Sequence, residues 1–405
     1  MSEQAEVQDQ PNSKLSRRNV LKAAIAAGGA AVFGLSCGKR ETETPAPTAP
    51  AVTKGQGPIT MRWQSTWPQK DIFHEYALDF AKKVNDMTGG DLKIDVLPAG
   101  AVVPAFQLLD AVSKGTLDGG HGVLVYHYGK QTALALFGSS PAYGMDANTL
   151  LAWFKYGGGR QLLDKLYKSI NANVVSFPYG PMPTQPLGWF KKPVTKADDM
   201  KGLKFRTVGI SIDLFTGMGA AVNALPGGEI VPAMDRGLLD AAEFNNASSD
   251  RILGFPDVSK VCMLQSYHQN AEQFEIMFNK DKYDALPAKM KAMIEYAVEA
   301  ASADMAWKAI DRYSKDYVEM QTKDKVRFYK TPDSVLQRQL DIFDQVEAKK
   351  SAENPMFKEI AESQRQFASR AVKWYLDTQV SARMAYNHYF VKRAAKPAAP
   401  AGKKS

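Results

Sequence analysis

The segment Ala111–His121, AVSKGTLDGGH, recurs without gaps at Ala233–Glu243 as AMDRGLLDAAE. Each copy has a helical end, a basic residue, a glycine suited to a left-handed helix cap, and then a strand. The repeat predicts two lobes of related topology that face each other across a cleft. The alternative is coincidence between two ordinary helix–strand units. Ligands of open α/β sheets bind beyond the carboxyl ends of strands, so we expect His121 and Glu243 at one cleft.

Outward from the repeat, strand-like and helix-like segments alternate. Ile59–Trp63 and Leu92–Leu97 have strand patterns, and Phe73–Met87 between them has apolar residues at helical spacing. This order predicts an α/β fold with a substantially parallel sheet. Three long helices are predicted near the C-terminus, at Pro287–Gln321, Pro332–Lys349 and Met356–Val391.

The distribution of charge argues against a nucleic-acid partner. The 405 residues include 51 Lys/Arg and 43 Asp/Glu, for a formal net charge of +8. Residues 1–54 hold seven basic and five acidic residues, and residues 392–405 hold five basic residues and no acid. The region between them is nearly neutral, so the basicity belongs to the two ends of the chain.

The N-terminus has the pattern of an export signal. The basic stretch SRRNVLK at Ser16–Lys22 precedes the apolar, small-residue run Ala23–Leu35, and its paired arginines favour the twin-arginine route. Cys37 resembles the lipidated cysteine of bacterial lipoproteins; cleavage to a free periplasmic form is the alternative. We predict an export signal over 1–37, a flexible tether over 38–57 and a disordered tail over 392–405.

The sequence lacks the familiar catalytic motifs. It has no phosphate-binding glycine loop, no nucleophile elbow and no His-Glu-x-x-His. Apart from Cys37 there is one cysteine, Cys262, which lies in an apolar run and is expected to be buried. The histidines are too scattered to assemble a zinc site from spacing. The sequence therefore predicts a binding protein and not an enzyme.

Four motifs in order resemble the solute-binding proteins of TRAP (tripartite ATP-independent periplasmic) transporters, in particular the subfamily that binds 2-oxo acids and lactate. The similarity runs from about Ile59 to about Val391. The motifs are LPAGAVVPAFQLLDAVSKGTLD at Leu97–Asp118, DMKGLKFR at Asp199–Arg206, LPGGEI at Leu225–Ile230 and DAAEF at Asp240–Phe244.

The resemblance implies a two-lobed periplasmic-binding-protein fold, type II-like, over 58–391. We expect lobe 1 at about 58–180, lobe 2 at about 181–280 and long helices at about 281–391, with Pro287–Gln321 bridging both lobes. The last helix can mediate dimer formation in this subfamily, so a homodimer through it is expected. The alternative is a helix that packs only on its own chain.

The resemblance also implies the substrate-binding residues Arg206, Gln185, Tyr128 and Phe244. Arg206 would grip the substrate carboxylate, since a planar guanidinium offers two parallel donors. A structural salt bridge is the alternative for Arg206. Tyr128 lies just after the first-lobe strand and is expected to donate a hydrogen bond to the substrate.

The metal ligands implied by the resemblance are Gln185, Glu243, Phe244 and Gln269. Side-chain oxygens, with the main-chain carbonyl of Phe244, suit Na⁺ or Ca²⁺. Gln269 stands where a second Glu is usual, which removes one negative charge. With Glu243, Arg206 and the substrate counted, one positive charge gives neutrality, so we expect Na⁺ rather than Ca²⁺, or a weakly bound or absent ion.

The expected function is capture of a small 2-oxo or 2-hydroxy monocarboxylate and its delivery to the membrane permease of a TRAP transporter. No organic cofactor is implied. A C4-dicarboxylate or sugar-acid binder on the same scaffold remains an alternative. So does an extracytoplasmic ligand sensor.

Overall fold

The structure is a computed structural model that describes residues 57–391. The predicted export signal with Cys37, the tether up to residue 56 and the tail from residue 392 lie outside the described residues. Within 57–391, no helix has the length and apolar character needed to cross a membrane.

Strands and helices alternate through most of the described chain. The strands are β1 (Ile59–Ser65), β2 (Leu92–Leu97), β3 (Gly119–Val123), β4 (Val174–Met182), β5 (Gly188–Phe190), β6 (Lys204–Arg206), β7 (Ala221–Asn223), β8 (Ala241–Ala242), β9 (Val261–Leu264), β10 (Glu272–Asn279) and β11 (Arg327–Lys330). The helices are α1 (Ile72–Met87), α2 (Leu108–Ser113), α3 (Ala147–Tyr156), α4 (Gly159–Ser169), α5 (Ser211–Gly217), α6 (Gly227–Asp235), α7 (Ala247–Leu253), α8 (Phe255–Val258), α9 (Lys280–Asp284), α10 (Ala288–Thr322), α11 (Asp333–Glu353), α12 (Pro355–Thr378) and α13 (Ala382–Phe390).

The strands form two sheets, with the orders β2-β1-β3-β10-β4 and β11-β9-β5-β8-β6-β7. β10 is antiparallel to both of its neighbours in the first sheet, and β5 is antiparallel to both of its neighbours in the second. The chain enters the second sheet through β5 after leaving β4, and it returns to the first sheet through β10 after leaving β9. The predicted two-lobed α/β architecture is confirmed.

The two repeat units have the same local structure. Gly115 follows α2 with φ +75° and Gly237 follows α6 with φ +71°, so both glycines adopt the left-handed conformation that ends the helix. β3 then pairs in parallel with β1, and β8 pairs in parallel with β6. Each unit thus delivers a strand whose carboxyl end faces the other lobe.

Helix α10, with 35 residues, connects the two lobes, as predicted for Pro287–Gln321. On the first lobe, its Ser302 hydroxyl accepts a hydrogen bond from the backbone N–H of Gly180 in β4 at 3.0 Å. On the second lobe, Asp316 accepts a hydrogen bond from Arg251 of α7 at 3.0 Å. The helix is therefore fixed to both lobes by side chains about four turns apart.

Two boundaries differ from expectation. The prediction of one helix over Met356–Val391 is wrong, because the backbone becomes extended at Gln379 and the Ser381 side chain caps a new helix by accepting from the N–H of Met384. β10 lies inside the predicted range of lobe 2, 181–280, yet it pairs in the first sheet. Cys262 is buried in β9, as expected.

Gly180 allows α10 to approach β4 closely. Its φ is +66°, and a Cβ at this position would overlap the sulfur of Met305 on α10. We expect Gly180→Ala to lower the free energy of unfolding by about 1–2 kcal/mol for the backbone conformation and about 0.5–1.5 kcal/mol more for the overlap, because the flexible end of Met305 must leave its preferred rotamer. Urea unfolding would measure the loss.

Gly202 provides the matched control. Its φ is +73°, but a Cβ there would have no neighbour within 4 Å, so Gly202→Ala should show only the backbone part. If both variants lost the same free energy of unfolding, a Cβ at position 180 would not overlap Met305 of α10.

Candidate functional site

A small cavity lies where the carboxyl ends of the parallel strands of the two sheets meet, the edge at which ligands of α/β folds bind. Its volume of about 10 Å³ is far below the roughly 300 Å³ at which pockets for drug-sized ligands begin, so in this conformation its walls enclose little more than the space of one water molecule. Its walls are Trp67, Phe73, Val123, Tyr126, Met182, Gln185, Arg206, Val208, Phe244, Asn245, Gln269 and Glu272.

Arg206, at the end of β6, is 1 % exposed and lines this cavity. Its Nε donates to the carbonyl of Leu225 at 2.8 Å, and its Nη1 donates to the Glu243 carboxylate at 2.9 Å and to the Glu243 carbonyl at 3.1 Å. Its Nη2 is buried and has no partner among the described residues. Three contacts thus fix the guanidinium while one of its nitrogens remains available.

Glu243 follows β8 and is completely buried. Burial raises the pKa of its carboxyl, and the charge of Arg206 opposes that rise. One carboxylate oxygen is held by Arg206, and the other, Oε2, has no hydrogen-bond partner within 57–391. Arg206 therefore forms the salt bridge that was the alternative to substrate binding. The pair still leaves Nη2 of Arg206 and Oε2 of Glu243 without a described partner.

Gln185 and Gln269 lie on the two segments by which the chain crosses between the sheets, β4 to β5 and β9 to β10. The backbone N–H of Gln185 donates to the carbonyl of Gln269 at 3.2 Å, which ties the crossings together. The Nε2 of Gln185 donates to Glu272, and that of Gln269 to the Gly138 carbonyl. Both Oε1 atoms are buried without a described partner.

These acceptors fit a hard cation. Unsatisfied buried oxygens are rare, and carboxylate and amide oxygens are the ligands that such ions prefer. The described residues contain no cluster of three or more His, Cys, Asp or Glu side chains suited to a metal. A cation here would therefore depend on amide and main-chain oxygens as much as on carboxylates. Gln185, Phe244 and Gln269 line the cavity and Glu243 borders it, so the predicted metal ligands are brought together.

Glu272 was missed by the sequence analysis. It is the first residue of β10, is 3 % exposed and lines the cavity. Burial raises the pKa of its carboxyl to about 8, and the neighbouring charge of Glu243 adds to the rise. The sequence predicts this strand only over Phe274–Phe278, so Glu272 falls outside the predicted element. The available signal was a glutamate directly before that strand, at the edge of the sheet where the site lies.

Tyr128 does not line the cavity, contrary to prediction. It follows a short 3₁₀ helix, Leu124–His127, and its hydroxyl donates to Asp213 in the other lobe. Tyr126, two residues earlier, lines the cavity instead. Burial raises the pKa of Tyr126 to about 12, so its hydroxyl remains protonated and able to donate.

His121 supports the wall of the cavity from behind. Its Nδ1 accepts a hydrogen bond from the indole of Trp67 at 2.8 Å, and its Nε2 pairs with the hydroxyl of Tyr179. Burial lowers the pKa of His121 to about 3, so the ring is neutral. Trp189 of β5 does not line the cavity, and its indole donates to Asp250 at 2.8 Å.

Two sheets joined by two crossings and a long helix, with a charged cavity at their facing strand ends, define a two-lobed solute-binding protein. Residues 64–354 match the family model described as "Bacterial extracellular solute-binding protein, family 7". The chain belongs to this family. The predicted TRAP solute-binding class, and with it a non-enzymatic role outside the cytoplasm, is therefore confirmed.

Relatives whose ligands are known are similar to this chain over most of its length. A monocarboxylate 2-oxoacid-binding periplasmic protein of Nostoc sp. is 34% identical over 292 residues, 72% of this chain and 77% of the relative. A TRAP solute-binding protein of Bordetella bronchiseptica, crystallised as a dimer with calcium and picolinate, has a TM-score of 0.77 at 28% identity and covers 82% of this chain and 97% of its own. One from Pseudoalteromonas atlantica, with sodium and pyruvate, has a TM-score of 0.75 at 28% identity and covers 82% and 99%.

Two buried carboxyls near the cavity predict an unusual pH dependence. Burial raises the pKa of Asp71 to about 6 and that of Asp250 to about 7, from 3.8. Between pH 4 and 7 each of these two carboxyls therefore binds more protons in the folded protein than in the unfolded chain and makes the stability fall as pH rises, by up to about 1.4 kcal/mol per pH unit. The buried rings of His121 and His268, whose pKa burial lowers to about 3, act in the opposite direction, so the effect of the carboxyls is seen by comparing variants.

Unfolding of the ligand-free protein in urea, repeated from pH 4.5 to 7.5, would measure this slope. Asp250→Asn should make the slope more positive than that of the wild type, whereas Asp86→Asn, at an exposed ion pair with Lys82, should leave it unchanged. Equal slopes for the wild type and Asp250→Asn would contradict the assignment.

Proposed function

We propose that this protein captures a small 2-oxo or 2-hydroxy monocarboxylate between its lobes, together with a metal cation, and delivers it to the membrane subunits of a TRAP transporter. The observation that carries the proposal is the buried, unpartnered Nη2 of Arg206 beside buried, unpartnered oxygens of Gln185 and Gln269. A donor and acceptors left open in one cavity fit a ligand with both an anionic and a cationic part.

Arg206 would bind the carboxylate of the acid. Its remaining nitrogen carries two N–H groups, and a charge-assisted hydrogen bond in an enclosed site is among the stronger polar contacts available to a protein. Tyr126 on the opposite lobe is a second donor to the same cavity. Closure of the lobes around the acid would thus bring donors from both sides to it.

The cation would be held by Gln185, Glu243, Gln269 and the main-chain carbonyl of Phe244. When bound, it would supply Lewis-acid contacts to the carboxylate of the acid and to the neighbouring 2-oxo or 2-hydroxy oxygen. Chelation of this kind favours acids that carry an oxygen next to the carboxylate. The sodium and pyruvate of one structural neighbour, and the calcium and picolinate of another, support this class of ligand.

The chemical character of the cavity walls favours a monocarboxylate with a small apolar group. Trp67, Phe73, Val123 and Phe244 form an apolar side, which suits a methyl or other small group. No charged side chain apart from Arg206, Glu243 and Glu272 reaches the cavity from the described residues. A second carboxylate would therefore meet no second cationic side chain there, which disfavours dicarboxylates.

For the location, we propose export by the twin-arginine route and anchoring through lipidated Cys37. The support is the sequence of residues 16–37 alone: paired arginines, a short apolar run and a cysteine at its end. Two acyl chains on that cysteine would suffice for stable anchoring.

A thermal-shift screen tests the proposed ligand class. Pyruvate, lactate and longer 2-oxo acids, each with Na⁺ or Ca²⁺, should raise the melting temperature, and C4-dicarboxylates should raise it less. Arg206→Lys should weaken binding about 10–100-fold, because a point charge replaces a fork that is held by three contacts. Isothermal titration calorimetry would measure the affinity.

Arg251→Lys is the matched control. Arg251 also forms ion pairs with carboxylates at 2.5–3.0 Å, but these lie between α7 and α10, away from the cavity. Its replacement should lower stability and leave acid affinity unchanged. If Arg206→Lys bound pyruvate as tightly as the wild type, the proposed role of Arg206 would be wrong.

We also propose that the protein forms a homodimer through its last helices. No residue of α13 is buried, and a nine-residue helix has little stability in water without packing. The end of α12 and α13 expose a run of large apolar side chains: Trp374, Tyr375, Leu376, Val380, Met384, Tyr386, Tyr389 and Phe390. An apolar surface of this kind is typical of a protein interface.

Sedimentation velocity should give the mass of a dimer for the wild type. Replacing Leu376, Met384 and Phe390 with Glu should shift the protein to a monomer without lowering its melting temperature, because all three are more than 70% exposed. Substitutions at Leu78 and Ile252, which are exposed on other helices, should not change the mass. A monomeric wild type at high concentration would contradict the proposed dimer.

A further inference from the structure

We propose that Glu272 supplies a second anionic oxygen to the cation of this site and thereby selects a divalent cation, Ca²⁺, over Na⁺. This rests on the proposed function, because it concerns the cation bound with the acid. It reverses the preference for Na⁺ expected from the sequence, where the charge count omitted Glu272.

The position of Glu272 is the first part of the case. It opens β10 directly after the crossing segment that carries Gln269, and its side chain lines the same cavity as Gln185, Gln269 and Phe244. Gln269 stands three residues earlier, at the position where the resembling subfamily usually has a glutamate. This chain thus lacks a carboxylate at 269 but brings one to the same cavity from 272.

The hydrogen bonds of Glu272 leave one of its oxygens open. Oε2 accepts from the amide of Gln185 at 2.8 Å and from that of Asn245 at 3.0 Å. Oε1 accepts no hydrogen bond from the described residues. The first contact also orients Gln185, since it fixes the NH₂ group on Glu272 and turns Oε1 of Gln185 away, buried and unpartnered. Glu272 therefore both offers an anionic oxygen and orients an amide oxygen.

The charge balance then indicates the cation. Arg206 and Glu243 form an ion pair at 2.9 Å, so their charges cancel. Once a bound cation displaces the proton of its carboxyl, Glu272 would contribute one further negative charge, and the carboxylate of the bound acid would contribute another. An uncompensated charge in an enclosed cavity is strongly unfavourable, and a divalent ion balances these two whereas Na⁺ leaves one. The oxygen-only ligand set suits Ca²⁺, whose affinity in proteins rises with the number of charged ligands.

A purely structural role for Glu272 predicts a different outcome. If its only task were to hold Gln185 and Asn245 in place, its loss would weaken the binding of both cations to a similar degree. A role as charged ligand predicts that its loss weakens Ca²⁺ selectively. Glu272→Gln separates the two, because the amide keeps the size of the side chain and an acceptor for Gln185 and Asn245.

The experiment measures bound metal directly. The chelator-treated full chain is dialysed to equilibrium against Ca²⁺ or Na⁺ in the presence of pyruvate, and bound Ca²⁺ is quantified by inductively coupled plasma mass spectrometry. Wild type should bind one Ca²⁺ per chain. Glu272→Gln should lose about 10–100-fold in Ca²⁺ affinity, a larger loss than its loss of affinity for pyruvate in Na⁺. Circular dichroism would check that the variant is folded.

The double variant Gln269→Glu, Glu272→Gln is the matched control. It returns the carboxylate to position 269, and Ca²⁺ binding should recover. Unchanged Ca²⁺ affinity in Glu272→Gln, or equal loss of affinity for both cations, would overturn the inference while leaving the proposed function intact. So would a wild type that binds pyruvate with Na⁺ but not with Ca²⁺. A wild type that binds no 2-oxo acid with either cation would overturn the proposed function as well.

Discussion

The buried ion pair between Arg206 and Glu243 is the interaction on which the cavity depends. A pair this deeply buried adds little net stability, because the desolvation of both charges offsets their attraction. The ion pair instead positions the two groups. It holds the guanidinium and the carboxylate at the ends of the adjacent parallel strands β6 and β8, and it leaves one polar atom of each without a hydrogen-bond partner among the described residues. The strand pairing and the ion pair together keep these atoms facing the first lobe.

Most of the scaffold could be predicted from the sequence, because its signals are local. The repeat at Ala111 and Ala233 contains the helix end, the left-handed glycine and the strand within eleven residues, and those features fix the backbone. Arg206 and Glu243 could be placed because each ends a short strand within a recognisable motif. Gln185 and Gln269 required the resemblance, since glutamines in connecting segments have no periodic pattern of their own.

The errors have a common physical cause, which is that they depend on backbone direction at the end of an element. One short 3₁₀ helix after β3 decides whether Tyr126 or Tyr128 faces the cavity. An extension of β10 by two residues moves Glu272 from a loop to the cavity wall. The break at Gln379 divides a continuous helical pattern because a serine cap competes with the helix. None of these three features depends on hydrophobic periodicity, so the pattern of apolar residues could not reveal them.

The location of Gln185 and Gln269 on the two crossing segments has a mechanical consequence. Points near a rotation axis travel little when two bodies swing apart, whereas points farther out travel along an arc. The crossings are joined by a backbone hydrogen bond, so if the lobes swing apart about them, the amide oxygens that they carry would stay together while Arg206 and Trp67 separate. One half of the binding apparatus would then remain assembled at the pivot, and the other half would be dispersed until the lobes return.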